Sequence, residues 1–108
     1  MQQTTMHSAV YSSRLEQLIR LYETGQAGEL IDRVLDRVFA QEAASTLAEI
    51  ERLDNDIQDY ESQYTMTADD FLRQFEAGEL GDAMDFIEWS SLILMREDLR
   101  QRLEILTG

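Results

Sequence analysis

The sequence predicts an all-α chain, in which a short helix, a long coiled-coil-like helix, a short helix and a closing helix build a dimeric helical bundle. Three observations carry that prediction. The 108 residues contain no proline, so no helix is interrupted by a ring that cannot donate a hydrogen bond. Leu, Glu, Ala, Gln and Arg are common and β-branched residues sparse, a balance that favours helix. Apolar residues recur at spacings of three and four, and no stretch alternates in the manner of a strand. A chain of this length is expected to form one domain, subdivided as 1–28, 29–66 and 67–108.

The first helix is expected from about Ser8 to Glu23. Tyr11, Leu15, Leu18 and Tyr22 form one stripe, widened by Ile19, and Gly25 suits the left-handed position after the helix end. From Glu29 to Tyr64 there is neither glycine nor proline. Leu30, Ile31, Val34, Leu35, Val38 and Phe39 make a broad apolar face. Ile50, Leu53, Ile57, Tyr60 and Tyr64 then follow a heptad rhythm with acids between them. A helix of that length spans roughly 50 Å, about twice the ~26 Å diameter of a compact chain of this size. Such a stripe needs a cover. We expect a homodimer paired through Val34, Val38, Ile50, Leu53, Ile57 and Tyr60; the alternative is an antiparallel hairpin with the last helix of the same chain.

Thr67 to Asp70 approximate a capping box, with Asp where Glu or Gln is usual, ahead of Phe71, Leu72 and Phe75. Gly78 is placed to end this short helix. After Gly81, Asp82 is the expected N-cap of the last helix and Asp85 its N3 residue. Phe86, Trp89, Leu92, Ile93, Leu99, Leu103 and Leu106 continue the stripe towards the C-terminus, where Arg96, Arg100 and Arg102 complement the helix dipole.

The charge narrows the function classes. The net charge is −13, and all nine basic residues are Arg. Residues 1–28 and 92–108 are each neutral, whereas residues 29–66 carry −7 and residues 67–91 carry −6. An acidic surface repels phosphate backbones, so direct nucleic-acid binding is not expected. The same surface attracts a basic protein, although solubility alone accounts equally well for such an excess. With no cysteine there is no disulfide, zinc-thiolate or iron–sulfur chemistry. No apolar run reaches the ~18 residues of a membrane span, and the N-terminus lacks the pattern of a signal peptide. A cytoplasmic location is expected.

No catalytic constellation stands out, and no enzyme activity, cofactor or metal is expected. Nucleophilic catalysis would have to use His7, the single histidine, which lies in a polar N-terminal segment and reads as solvated. No Glu-x-x-His pair of the di-iron bundles is present. Asp82, Asp85 and Glu88 fall at i, i+3, i+6, a pattern open to weak calcium or magnesium binding; capping and dipole roles explain the first two more simply. GELG lacks the Lys and the anion-attracting field of a phosphate loop. Trp89, the only tryptophan, reads as core at the start of an amphipathic helix, with an interface anchor as the alternative.

The segment YTMTADDFLRQFEAGELGDAMDFIEW, residues 64–89, resembles small acidic bacterial proteins that are often encoded beside a small ribonuclease-like toxin and are treated as its antitoxin. The matching positions are Tyr64, Met66, Thr67, Asp70, Phe71, Phe75, Gly78, Glu79, Leu80, Gly81, Asp82, Asp85, Phe86, Glu88 and Trp89. The chain departs at Thr65, where glycine is usual, which weakens the turn before the third helix. It departs again at Ala83, where a second acid is usual, which removes one charge. The resemblance covers about a quarter of the chain. It implies a protein without an active site of its own that covers the basic, RNA-binding cleft of a cognate toxin. Glu79, Leu80, Asp82, Asp85, Glu88 and Trp89 are the expected contacts. The alternative is a scaffolding coiled coil that self-associates.

Overall fold

A computed structural model describes residues 2–108, with side chains from Ser13 onward. The side chains of His7 and Tyr11 lie outside the described residues. Four helices follow one another: α1 (Gln2–Glu23), α2 (Gly28–Tyr64), α3 (Ala68–Glu76) and α4 (Met84–Thr107). No strand occurs among the described residues, so the chain is all-α. None of these helices is long and apolar enough to cross a membrane. α1 begins earlier than the apolar stripe alone indicates, since no Gly or Pro stops it.

The backbone forms two compact units that divide between Val38 and Phe39, inside α2. In the first, α1 ends in a Schellman turn. Gly25 takes the left-handed conformation at φ 71°, Gln26 N–H donates to Leu21 at 2.7 Å, and Gly25 N–H donates to Tyr22 at 3.2 Å. The Tyr22 hydroxyl donates to Asp32 across the turn.

In the second unit the C-terminal part of α2 runs antiparallel to α4. Tyr64 meets Asp85, Tyr60 meets Glu88, Asp54 meets Arg96 and Glu42 meets Arg102, so contacts climb α4 as they descend α2. α3 lies over the join. The core consists of Ile57, Ala68, Phe71, Trp89 and Ile93, with Leu53, Tyr60, Tyr64, Phe75, Leu80, Phe86 and Leu92 packed around it. Phe71 stacks on Trp89 with centroids 3.8 Å apart and planes 6° from parallel.

Two expectations are corrected at this level. Of the residues assigned to the dimer seam, Ile50 and Ile57 are buried and Leu53 and Tyr60 half-buried, within one chain. The intrachain hairpin therefore covers this part of the stripe, because α4 carries a matching stripe and the α3 corner returns it antiparallel. Val34 and Val38, by contrast, remain about half exposed. The second correction concerns the start of α4. Its N-cap is Ala83, which makes no side-chain cap, and not Asp82. Ala83 is extended (φ −56°, ψ 147°), and its carbonyl accepts from Phe86 and Ile87. Gly81 turns the chain at φ 79°, and Asp82 falls one residue short of the cap. Asp85 accordingly sits at the second helical position.

The α2 end is the most informative local feature. Met66 N–H donates to Glu61 at 3.2 Å, the same closure seen after α1, but the left-handed residue is Thr65, at φ 52°. A β-branched residue is strained there. Replacement by glycine relieves this strain by more than the unfolded-state entropy it adds costs, so Thr65→Gly is expected to stabilise by about 0.5–1 kcal/mol in urea titrations. Gly81→Val tests the opposite case. Open space surrounds Gly81, so the cost is purely of backbone conformation, and a loss of about 1 kcal/mol or more is expected by the same titration.

Candidate partner-binding surface

The GELGD corner and the first turns of α4 are held by α2 and α3. Thr67 Oγ1 accepts from Asp70 N–H at 3.2 Å, as the capping box predicts. The reciprocal bond to the Thr67 N–H is replaced by one to the next donor: Glu61, in the last turn of α2, accepts from Ala68 N–H at 2.6 Å. Asp70 instead pairs with Arg73 at 2.6 Å. After α3, Gly78 and Glu79 close a further Schellman turn onto Phe75 and Gln74. That turn aims Glu79 at solvent and Leu80 back at the core.

Across the α2–α4 join, two tyrosines hold two carboxylates. Tyr60 donates to Glu88 Oε2 at 2.8 Å and Tyr64 donates to Asp85 Oδ2 at 2.5 Å, with Gln63 Nε2 3.4 Å from the same oxygen. A shallow groove is lined by Asp56, Asp59, Tyr60, Gln63, Asp85, Glu88 and Leu92. Four carboxylates from two helices thus converge on one concave surface. Arg96 and Arg102, the cations of α4 bonded to α2, are engaged by Asp54 and Glu42 further along the hairpin.

The hydrogen bond to Glu88, then burial and the charges of Glu88 and Asp85, push the Tyr60 pKa up to about 12. The folded chain holds this proton more tightly than the unfolded chain. The corresponding stability is fully present below the ordinary tyrosine pKa of 10.0 and is lost as the pH rises towards about 12. Urea midpoints measured across that alkaline window are expected to fall, and to fall less steeply in Tyr60→Phe. Tyr64 is raised in the same direction, by its hydrogen bond to Asp85 first.

Of the expected contact residues, Glu79, Asp82 and Glu88 are exposed, Asp85 is half-buried beside Tyr64, and Leu80 is half-buried against the core. Trp89 is corrected: it is fully buried, so it supports the surface from beneath and presents nothing to a partner. Its position on the stripe with Phe86 and Ile93 faces it inward, and α3 closes over it with Phe71. Asp56 and Asp59 were missed. Their signal was their place one residue from Ile57 and Tyr60, on the flank of the α2 stripe that α4 comes to border. Among the described residues no group of three or more His, Asp or Glu is placed to hold a metal ion. No family model matches the chain, and no curated protein or solved structure matches it.

Proposed function

We infer that this chain is a non-enzymatic protein-binding module that captures a basic partner on its acidic α2–α4 surface. One observation carries the reading: Asp56, Asp59, Asp85 and Glu88 line one groove, with Glu79 and Asp82 exposed on the adjoining corner. Fields from grouped like charges accelerate encounter with an opposite surface and fix its register. The similarity of residues 64–89 to antitoxin components names the partner class, a small basic ribonuclease-like toxin whose RNA-binding cleft the acidic groove would cover. A cytoplasmic setting follows from that pairing.

The test is binding to the small basic protein expected to be encoded beside the gene. Asp56→Arg and Asp59→Arg are the informative variants, because both side chains are exposed and neither is tied to a tyrosine. Each is expected to weaken binding about tenfold or more, chiefly through slower association, with the wild-type affinity falling as salt rises. Unchanged affinity in both variants would remove the groove from the interface. A second reading, a self-associating structural helix, is favoured by the exposed Val34 and Val38.

A further inference from the structure

The unit N-terminal to Phe39 has a different character from the rest. Arg14, Arg20, Arg33 and Arg37 stand against Glu16, Glu23, Glu29, Asp32 and Asp36, so it is nearly neutral, and almost the whole charge excess lies beyond it. Each of its helices carries a broad apolar face, of which only one edge is covered. Leu18 and Leu21 on α1, and Ile31 and Leu35 on α2, are partly covered. Leu15 and Ile19, and Leu30, Val34 and Val38, are 45–68% exposed. Two helices packed on each other cover only the facing edge of so broad a surface. The uncovered edges, at helical spacing, fit a further pair of helices.

The charges beside the uncovered stripes identify that pair. At about 100° per residue, Glu16 and Glu23 border the α1 stripe, while Arg33 and Arg37 border the α2 stripe. All four side chains are exposed, and none makes an ion pair among the described residues. One helix thus shows an acidic edge and the other a basic edge beside the same kind of apolar surface. An isologous two-fold contact sets α1 of one copy against α2 of the other and satisfies both edges twice. A uniformly basic partner would satisfy only the α1 edge.

We propose that the exposed face of this unit docks a second copy of the same chain, α1 against α2 in each direction, to form a four-helix bundle. The proposed contact uses only residues N-terminal to Phe39, the nearly neutral part of the chain. This inference does not rest on the partner-binding reading, since it uses no residue of the acidic groove.

The experiment is a paired charge reversal in the full chain, read by sedimentation equilibrium. One variant is Arg33→Glu with Arg37→Glu; the other is Glu16→Arg with Glu23→Arg. Wild type is expected to be dimeric at tens of micromolar, and each variant alone at least about tenfold weaker. An equimolar mixture is expected to recover wild-type dimerisation, because the mixed pair is complementary at both contacts. Recovery also shows that both variants fold, and Arg33→Gln with Arg37→Gln gives a milder loss in the same direction. A monomeric wild type, variants that dimerise as tightly as wild type, or a mixture that stays monomeric would each overturn the proposal.

Discussion

Trp89→Ala is expected to destabilise the chain by about 3–5 kcal/mol, with a fall in Tm of more than about 10 °C. The indole is fully buried, and it organises the other rings: Phe71 stacks on it at 3.8 Å, Tyr60 at 5.7 Å and Tyr64 at 5.9 Å. Truncation leaves a void in the cluster that joins α2, α3 and α4. It also removes the packing that positions Tyr60 and Tyr64, and hence the carboxylates they hold. Trp89→Phe has a smaller expected cost, about 1 kcal/mol. The lost ring volume is partly offset because the buried indole N–H has no hydrogen-bond partner, and an unmet donor costs roughly 1–3 kcal/mol. Circular dichroism is the appropriate probe, since the chain has no second tryptophan. A loss below about 1 kcal/mol for Trp89→Ala would show that α3 does not close over the hairpin as described.

The second large effect is expected at Asp54. Its carboxylate accepts from Arg96 at 2.8 Å, with Arg100 3.9 Å away, and the Arg96 side chain is only 14% exposed. Asp54→Ala leaves that guanidinium without its counter-charge in a half-covered setting. A cost of about 2 kcal/mol is expected, below the 3–5 kcal/mol of a fully buried pair because Asp54 is a third exposed. The double variant Asp54→Leu with Arg96→Met is expected to return to within about 1 kcal/mol of wild type, since replacing both charges by apolar groups removes the desolvation cost. A double-mutant cycle by urea titration separates the two cases. Additive losses would mean that the pair adds nothing to the α2–α4 join.

Local signals were well marked in the amino-acid order. The helix breaks at Gly25 and Gly78, the cap at Thr67 and the unbroken run to Tyr64 depend on φ, ψ and hydrogen bonds within a few residues. Such features are legible without knowing the neighbours. Asp82 misled for the same kind of reason. A good capping side chain lies next to a glycine, but the chain spends an extra residue leaving the left-handed turn, and Ala83 takes the cap with its backbone alone. The candidate surface was half legible. The acids of the GELGD corner are contiguous with a familiar motif, whereas Asp56 and Asp59 join them only because α4 folds back along α2.

All-helical class, element order, the helix ends at Gly25 and Gly78 and the placement of charge were determined by the sequence itself, because each is set by spacing and composition along one chain. What covers the stripe from Ile50 to Tyr64 was decided only by the tertiary structure. A heptad stripe fits a second copy or a returning helix equally well, and periodicity does not distinguish them. The α3 corner brings α4 back over Ile50 to Tyr64 and turns Trp89 inward. Among the described residues of the first unit, none buries Leu30, Val34 or Val38, and a second copy is the proposed cover.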